Sequence, residues 1–157
     1  MKKQILFFAV TLLVFGLMAY LVNAASGTTT GQVTVSTTCV LSINTSSIGI
    51  LFGSLGQSQT SPVNTTRITN SGNIAANLSV SGAAWSDGVT HTIPVSQTHW
   101  SSSWTNYDSA NVLGTDLAEV NSALGASGTQ NVWIAVRIPA DQYAGTYTQT
   151  ITLDLNC

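Results

Sequence analysis

The sequence predicts an all-β protein built from antiparallel strands, and three observations carry that prediction. First, two stretches near the C-terminal end alternate in polarity. Val132, Ile134, Val136 and Ile138 are separated by Trp133, Ala135 and Arg137. Further on, Tyr147, Ile151, Leu153 and Leu155 share one parity, and Thr148, Thr150, Thr152 and Asp154 the other. A period of two is that of a pleated strand with one dry face. Second, hydroxyls and amides stand in for charge: 19 Ser, 22 Thr and 11 Asn, against 6% Asp, Glu, Lys and Arg together. Such a surface favours strands and turns over salt-bridged helices. Third, turn signals recur at Gly53-Ser54-Leu55-Gly56, at Asn70-Ser71-Gly72-Asn73, at Pro139 and at Gly145. Strands with one apolar face need a second sheet to cover it. The expected architecture is therefore an Ig-like or jelly-roll-type antiparallel β-sandwich, with an extended N-terminal strand and one short helix.

In order along the chain, residues 1–24 combine Lys2-Lys3, an apolar run from Ile5 to Val22 and the small-residue end Val22-Asn23-Ala24. This is the layout of a secretion signal cut after Ala24. The run is 18 residues long, also enough for a retained membrane anchor. A pilin-like processed N-helix fits worse, because Lys3-Gln4-Ile5 lacks a small residue before the run. Residues 25–38, ASGTTTGQVTVSTT, form an arm of high β-propensity without proline or charge. No charged residue occurs between Lys3 and Arg67. Natural proteins guard strand edges with Lys, Pro or bulges; this stretch has none. It reads either as a strand donated to another molecule, with Thr30, Gln32, Val33 and Val35 in the pairing stretch, or as the first strand of its own sandwich. Val40, Leu41 and Ile43 begin the domain proper, residues 39–157.

Within the domain, short strands are expected at Ile48–Phe52, Val63–Thr69 and Ile74–Ser81, the last two joined as a hairpin by Asn70–Asn73. Trp85 is expected at the core edge. Thr92–Ser96 is at best an edge strand, and Trp100 and Trp104 fall in a Ser-rich loop. Asp116–Leu124 has an N-cap aspartate, Glu119 three residues later and Gly125 as a stop, the signals of a short helix. The closing alternations, on either side of Pro139 and Gly145, are expected to pair as a second hairpin.

The motif I-P-A-x-x-Y-A-G-T-Y-T at Ile138–Thr148 resembles the closing turn and Thr-rich last strand of secreted bacterial and archaeal sandwiches. Taken with the size, the secretion signal, the near-absence of charge and the Thr-rich arm, the chain is similar to the bundling pilins of hyperthermophilic archaea. These are relatives of the biofilm-matrix fibre protein TasA. The resemblance implies an extracellular filament on the cell surface, acting in adhesion between cells or in biofilm. Its subunits would join identical subunits by β-augmentation, each N-terminal arm completing the next sandwich. Fibres would bundle laterally, and the membrane would be met only through the signal or anchor.

Other chemistry is constrained by what the chain lacks. Cut after Ala24, it carries Arg67 and Arg137 against six acids, a net charge of −4, and no lysine. Nucleic-acid binding needs clustered Lys and Arg, and lysine-based covalent chemistry has no residue to use. Cys39 and Cys157 are an even pair in a chain read as secreted, hence an expected disulfide. A bond between subunits is the rival, though a Cys just after the arm belongs with its own domain. His91 and His99, with Asp87 and Asp108 nearby, lack a compact metal-ligand motif; two surface histidines in a loop is the better reading. Asp108, Asp116, Glu119 and Asp141 lack EF-hand spacing for calcium. No metal, cofactor or catalytic residue is expected, since there is no nucleophile elbow or phosphate loop. Asn44-Thr45-Ser46, Asn64-Thr65-Thr66 and Asn77-Leu78-Ser79 are glycosylation sequons, with Asn64 the favoured one. The competing function is a monomeric, envelope-anchored binding module for carbohydrate or the surface layer, using Trp85, Trp100 and Trp104.

Overall fold

The computed structural model describes residues 32–34, 36–44, 50–104 and 106–157. The hydrophobic run, the position after Ala24, and Thr30 and Val35 of the expected donor strand lie outside them. The chain divides into two units, Met1–Val35 and Ser36–Cys157. In the first, Gln32, Val33 and Thr34 are exposed and in no strand, Val33 at 85%.

Ten strands occur among the described residues of the second unit. They are β1 Leu41–Asn44, β2 Asn64–Asn70, β3 Ala76–Gly82, β4 Trp85–Ser86 and β5 Thr92–Ile93, then β6 Thr98–Ser101, β7 Asn111–Val112, β8 Ala118–Leu124, β9 Thr129–Val136 and β10 Ile151–Asn156. The larger sheet has the order β1-β2-β9-β6-β7 and the smaller β10-β3-β8, while β4 and β5 form a ribbon. Every strand pairing is antiparallel. The core joins the inner faces of both sheets: Ile68, Trp100, Val132 and Ile134 from the larger, Leu78, Val80 and Leu124 from the smaller. This is an antiparallel β-sandwich, as the alternation predicts.

The strand partners differ from the sequence expectation in an instructive way. The stretches on either side of Asn70–Asn73 do not form a hairpin. β2 lies in the larger sheet and β3 in the smaller, so the turn is a corner between layers. Asn70, fully buried, holds it. Its Nδ2 donates to the carbonyls of Ile74 (2.7 Å) and Leu124 (3.0 Å), and its Oδ1 accepts from the Gly72 N–H (2.9 Å). Likewise β9 pairs with β2 and β6, whereas β10 pairs with β3. Both alternations point inward, and they face each other across the core instead of lying side by side.

The expected helix at Asp116–Leu124 is instead strand β8, with Ala118 opposite Val80 and Leu124 opposite Ala76. Ala118, Val120 and Leu124 meet the core from β8, whose pairing with β3 carries two register shifts between Ala118 and Leu124. Pairing to β3 gives the main chain its hydrogen bonds there. The helical element among the described residues is a 3-10 turn at Val95–Gln97. Trp100, expected in a loop, lies on β6 with its ring in the core.

Candidate functional site: an open seam between the sheets

The two sides of the sandwich are closed differently. On one side, the chain passes from β7 to β8 through Leu113, which is buried in the core, and the Gly82 N–H donates to the Gly114 carbonyl (2.9 Å). On the other, β1 is the end strand of the larger sheet and β10 the end strand of the smaller. Cys39, just before β1, and Cys157, just after β10, form a disulfide with Cα atoms 5.9 Å apart. The predicted pairing is thus present within one chain, and it suits an oxidising compartment.

The disulfide closes only one end of this seam. Leu41 opposes Asn70 and Asn156 opposes Asn77, which places the staple at the Asn70–Asn77 end. Away from it β1 pairs with Arg67–Asn70, and among the described residues no strand pairs with Asn64–Thr66 on that side, where Asn64 Nδ2 donates to the Leu51 carbonyl (3.1 Å). Here a cleft of about 360 Å³ opens between the layers, lined by Ile43, Phe52, Thr66 and Ile134 on one side and Ile151 and Leu153 on the other. It shares Phe52, Trp85 and Tyr147 with a second cleft of about 660 Å³ that reaches Leu55 and Ile138. Among the described residues, no Asp, Glu, Lys or Arg lines either cleft. Ile43 and Leu51 stand at the rim, 44% and 64% exposed.

Local structure explains the shape. Trp85 fixes the back of the seam, its Nε1 donating to Thr98 Oγ1 (2.8 Å) and its ring meeting Phe52 edge-on at 5.6 Å. Thr66 is fully buried, yet its Oγ1 has no hydrogen-bond partner. Trp100 Nε1 is also buried and unpartnered, but Trp100 does not line the clefts.

The start of the domain is anchored at the stapled end. Asn73 Nδ2 donates to the Ser36 carbonyl (2.6 Å), and Asn73 Oδ1 accepts from the Thr38 N–H (2.8 Å). The Asn73 N–H donates to the Thr38 carbonyl (3.1 Å). These contacts put Ser36–Thr38 with the sandwich, upstream of the boundary at Cys39 that the sequence suggests. Gly72 passes so close to Thr38 that a Cβ there would collide with the Thr38 carbonyl.

The remaining candidate residues are scattered. Asp87 and His91 form one pair, His91 Nδ1 lying 2.7 Å from Asp87 Oδ2. Backbone N–H groups of Val89, Thr90 and His91 converge on Asp87 Oδ1. The Val89 hydrogen bond, then the His91 side chain, hold the Asp87 carboxyl down to about 2. His99 lies elsewhere, half-buried on β6 and stacked on Tyr107 with centroids 3.9 Å apart. Arg137 sits over the same ring at 4.3 Å and pairs with Asp108 at 2.9 Å. Burial raises the Tyr107 hydroxyl above its ordinary range, and it donates to the Gln97 carbonyl (2.7 Å). Among the described residues, no three His, Cys, Asp or Glu side chains gather as a metal ion requires.

Trp85 and Trp100 are 9% and 4% exposed, so neither offers the stacking surface that a sugar-binding reading needs. Of the sequons, Asn44 is exposed at the end of β1. Asn64 is half-buried and spends its amide on the Leu51 carbonyl (3.1 Å). Asn77 faces outward on β3 and donates to Glu119 (3.3 Å). Among the described residues, no helix is long and apolar enough to cross a membrane.

No protein-family model and no curated protein matches the chain. Among solved structures, it is similar to a family 123 glycoside hydrolase from Clostridium perfringens, with 14% identity and a TM-score of 0.39. The match covers 60% of this chain and 18% of that one. A likeness this distant carries nothing about activity.

Proposed function

We propose that the protein is the structural subunit of an extracellular fibre on the cell surface, polymerising with identical subunits by donor-strand complementation and serving adhesion or biofilm. The observation that carries this reading is the uncharged cleft between the edges of the end strands β1 and β10, lined mainly by apolar side chains. An extended segment entering it would bond to those edges through its main chain and set alternate side chains between the layers. Val33 and Val35 of the arm are suited to that position. Each contributes about 1.5–3 kcal/mol on burial, and each backbone bond adds about 0.5–1.5 kcal/mol. The unguarded Thr-rich sequence of the arm and the resemblance of Ile138–Thr148 to archaeal bundling pilins support the same reading.

Electron microscopy of the secreted protein, with and without Ala25–Ser36, tests it. The intact chain is expected to form fibres and the shortened chain to stay as soluble subunits. Fibres of unchanged form from the shortened chain would overturn the proposal.

A further inference from the structure

The outer face of the larger sheet carries one aromatic residue out of keeping with its pattern. In β2, β6 and β9 the even-numbered Thr66, Ile68, Thr98, Trp100, Val132 and Ile134 are buried, so the odd-numbered residues point away from the core. Alternation calls for polar side chains there, and Trp133 is among them. It lies on the central strand β9, between Thr65 of β2 and Ser101 of β6. The ring is half-buried and belongs to neither core cluster. Among the described residues its Nε1 has no hydrogen-bond partner.

Arg67 stands one row along on the same face, opposite Asn131 of β9 and Asn44 of β1. Arg67 and Trp133 are thus diagonal neighbours, at a spacing of about 7–8 Å that long side chains bridge. Arg67 is exposed, and among the described residues its guanidinium makes one long hydrogen bond, to Thr129 Oγ1 (3.5 Å), and no ion pair. Arg137, by contrast, is matched by Asp108. No Asp or Glu occurs in any of the five strands of the larger sheet. In a chain with more acids than bases, this is the face that an anion can approach.

The combination has the chemistry of an acidic-sugar site. A sugar ring presents apolar C–H groups on its faces and hydroxyls at its rim. An indole on a sheet face can cover the first. Thr65, Asn131 and Asn44, exposed and with side chains unengaged among the described residues, can serve the second. An unpaired guanidinium takes a carboxylate through two parallel hydrogen bonds. A single arginine is too few for the phosphate contacts on which nucleic-acid binding draws.

We infer that the outer face of the larger sheet binds a uronic-acid polysaccharide, Trp133 stacking on a sugar ring and Arg67 pairing with its carboxylate. The site lies on the outside of the sheet, away from the clefts between the layers, and does not depend on assembly. Repeated along a fibre, a weak site would act many times on one polymer chain.

Titration of the full secreted chain with oligomers of polygalacturonate and alginate, and with their methyl esters, tests this. The chain is produced without N-glycans, because Asn44 belongs to a sequon beside Arg67. Tryptophan fluorescence and heat of binding are read. Wild type is expected to bind the free acids about tenfold or more tighter than the esters. Arg67→Gln is expected to lose about tenfold for the acids alone, and Trp133→Ala about tenfold for acid and ester alike. Trp133→Phe, which keeps a stacking face, should retain most of the affinity and separates a lost contact from a lost fold. Binding of neither acid by wild type, equal affinity for acid and ester, or wild-type affinity in Trp133→Ala would overturn the inference. Should copies associate through this face without sugar, and Trp133→Ala release them, the partner is a second copy and the sugar assignment falls.

Discussion

Cys39 and Cys157, 118 positions apart in the sequence, tie the end strand of one sheet to the end strand of the other. The sandwich is stapled at one end of a seam whose other end is open. Closing so long a loop restricts the unfolded chain by about 4–5 kcal/mol in the chain-entropy picture. Replacing both cysteines by serine is expected to lower unfolding stability by roughly that amount. Denaturant melts of the variant and of wild type, with and without reductant, check it; wild type should fall to the variant's curve only when reduced.

Asn70 bridges the layers at their corner, serving carbonyls of the β2–β3 turn and of the end of β8 at once. Asn70→Ala would strand those carbonyls in the interior and is expected to cost about 2–4 kcal/mol. Equilibrium unfolding measures the loss. Hydrogen exchange should show it first at Gly72, whose N–H bonds to the deleted side chain.

Gly72 tests the anchoring of Ser36–Thr38. Gly72→Ala places a methyl against the Thr38 carbonyl and Cys39 Cα, so that segment must shift, at about 1–3 kcal/mol. Faster exchange at the Thr38 amide, with the β3 and β9 amides unaffected, is the expected result.

The Asp87 carboxyl is held at about 2 against an ordinary 3.8. A depressed carboxylate stabilises the fold above its unfolded value, and that contribution fades as pH falls through the folded one. The Gly88–His91 turn is therefore expected to hold at pH 5 and to loosen between about pH 4 and 2. Amide shifts of Val89, Thr90 and His91 followed across that range check it. Asp87→Asn should abolish the transition.

Sequence pattern carried the fold class but not the neighbours. Alternation fixes which face of a strand is dry and is silent on which strand lies beside it. The strands on either side of Asn70–Asn73, and those on either side of Pro139, looked like hairpins for that reason. What separates them is tertiary: the Asn70 side chain reaches Leu124, 54 positions on. At Asp116–Leu124, Leu117, Val120 and Leu124 fit the helical period while Ala118, Val120 and Leu124 fit a period of two, and capping signals favoured the wrong one. The Ser-rich flanks of Trp100 hid a core residue. The cysteine pair was legible because its chemistry does not depend on neighbours. The burial of Thr66 was not, since among 22 threonines nothing local marks it as one whose hydroxyl is left unpartnered in the interior.

The bridge between Cys39 and Cys157 also imposes a schedule. Cys39 is made 118 positions before Cys157, so the earlier thiol has no partner until β1 to β10 have all been made. A chain that lacks Cys157 leaves the two end strands untied.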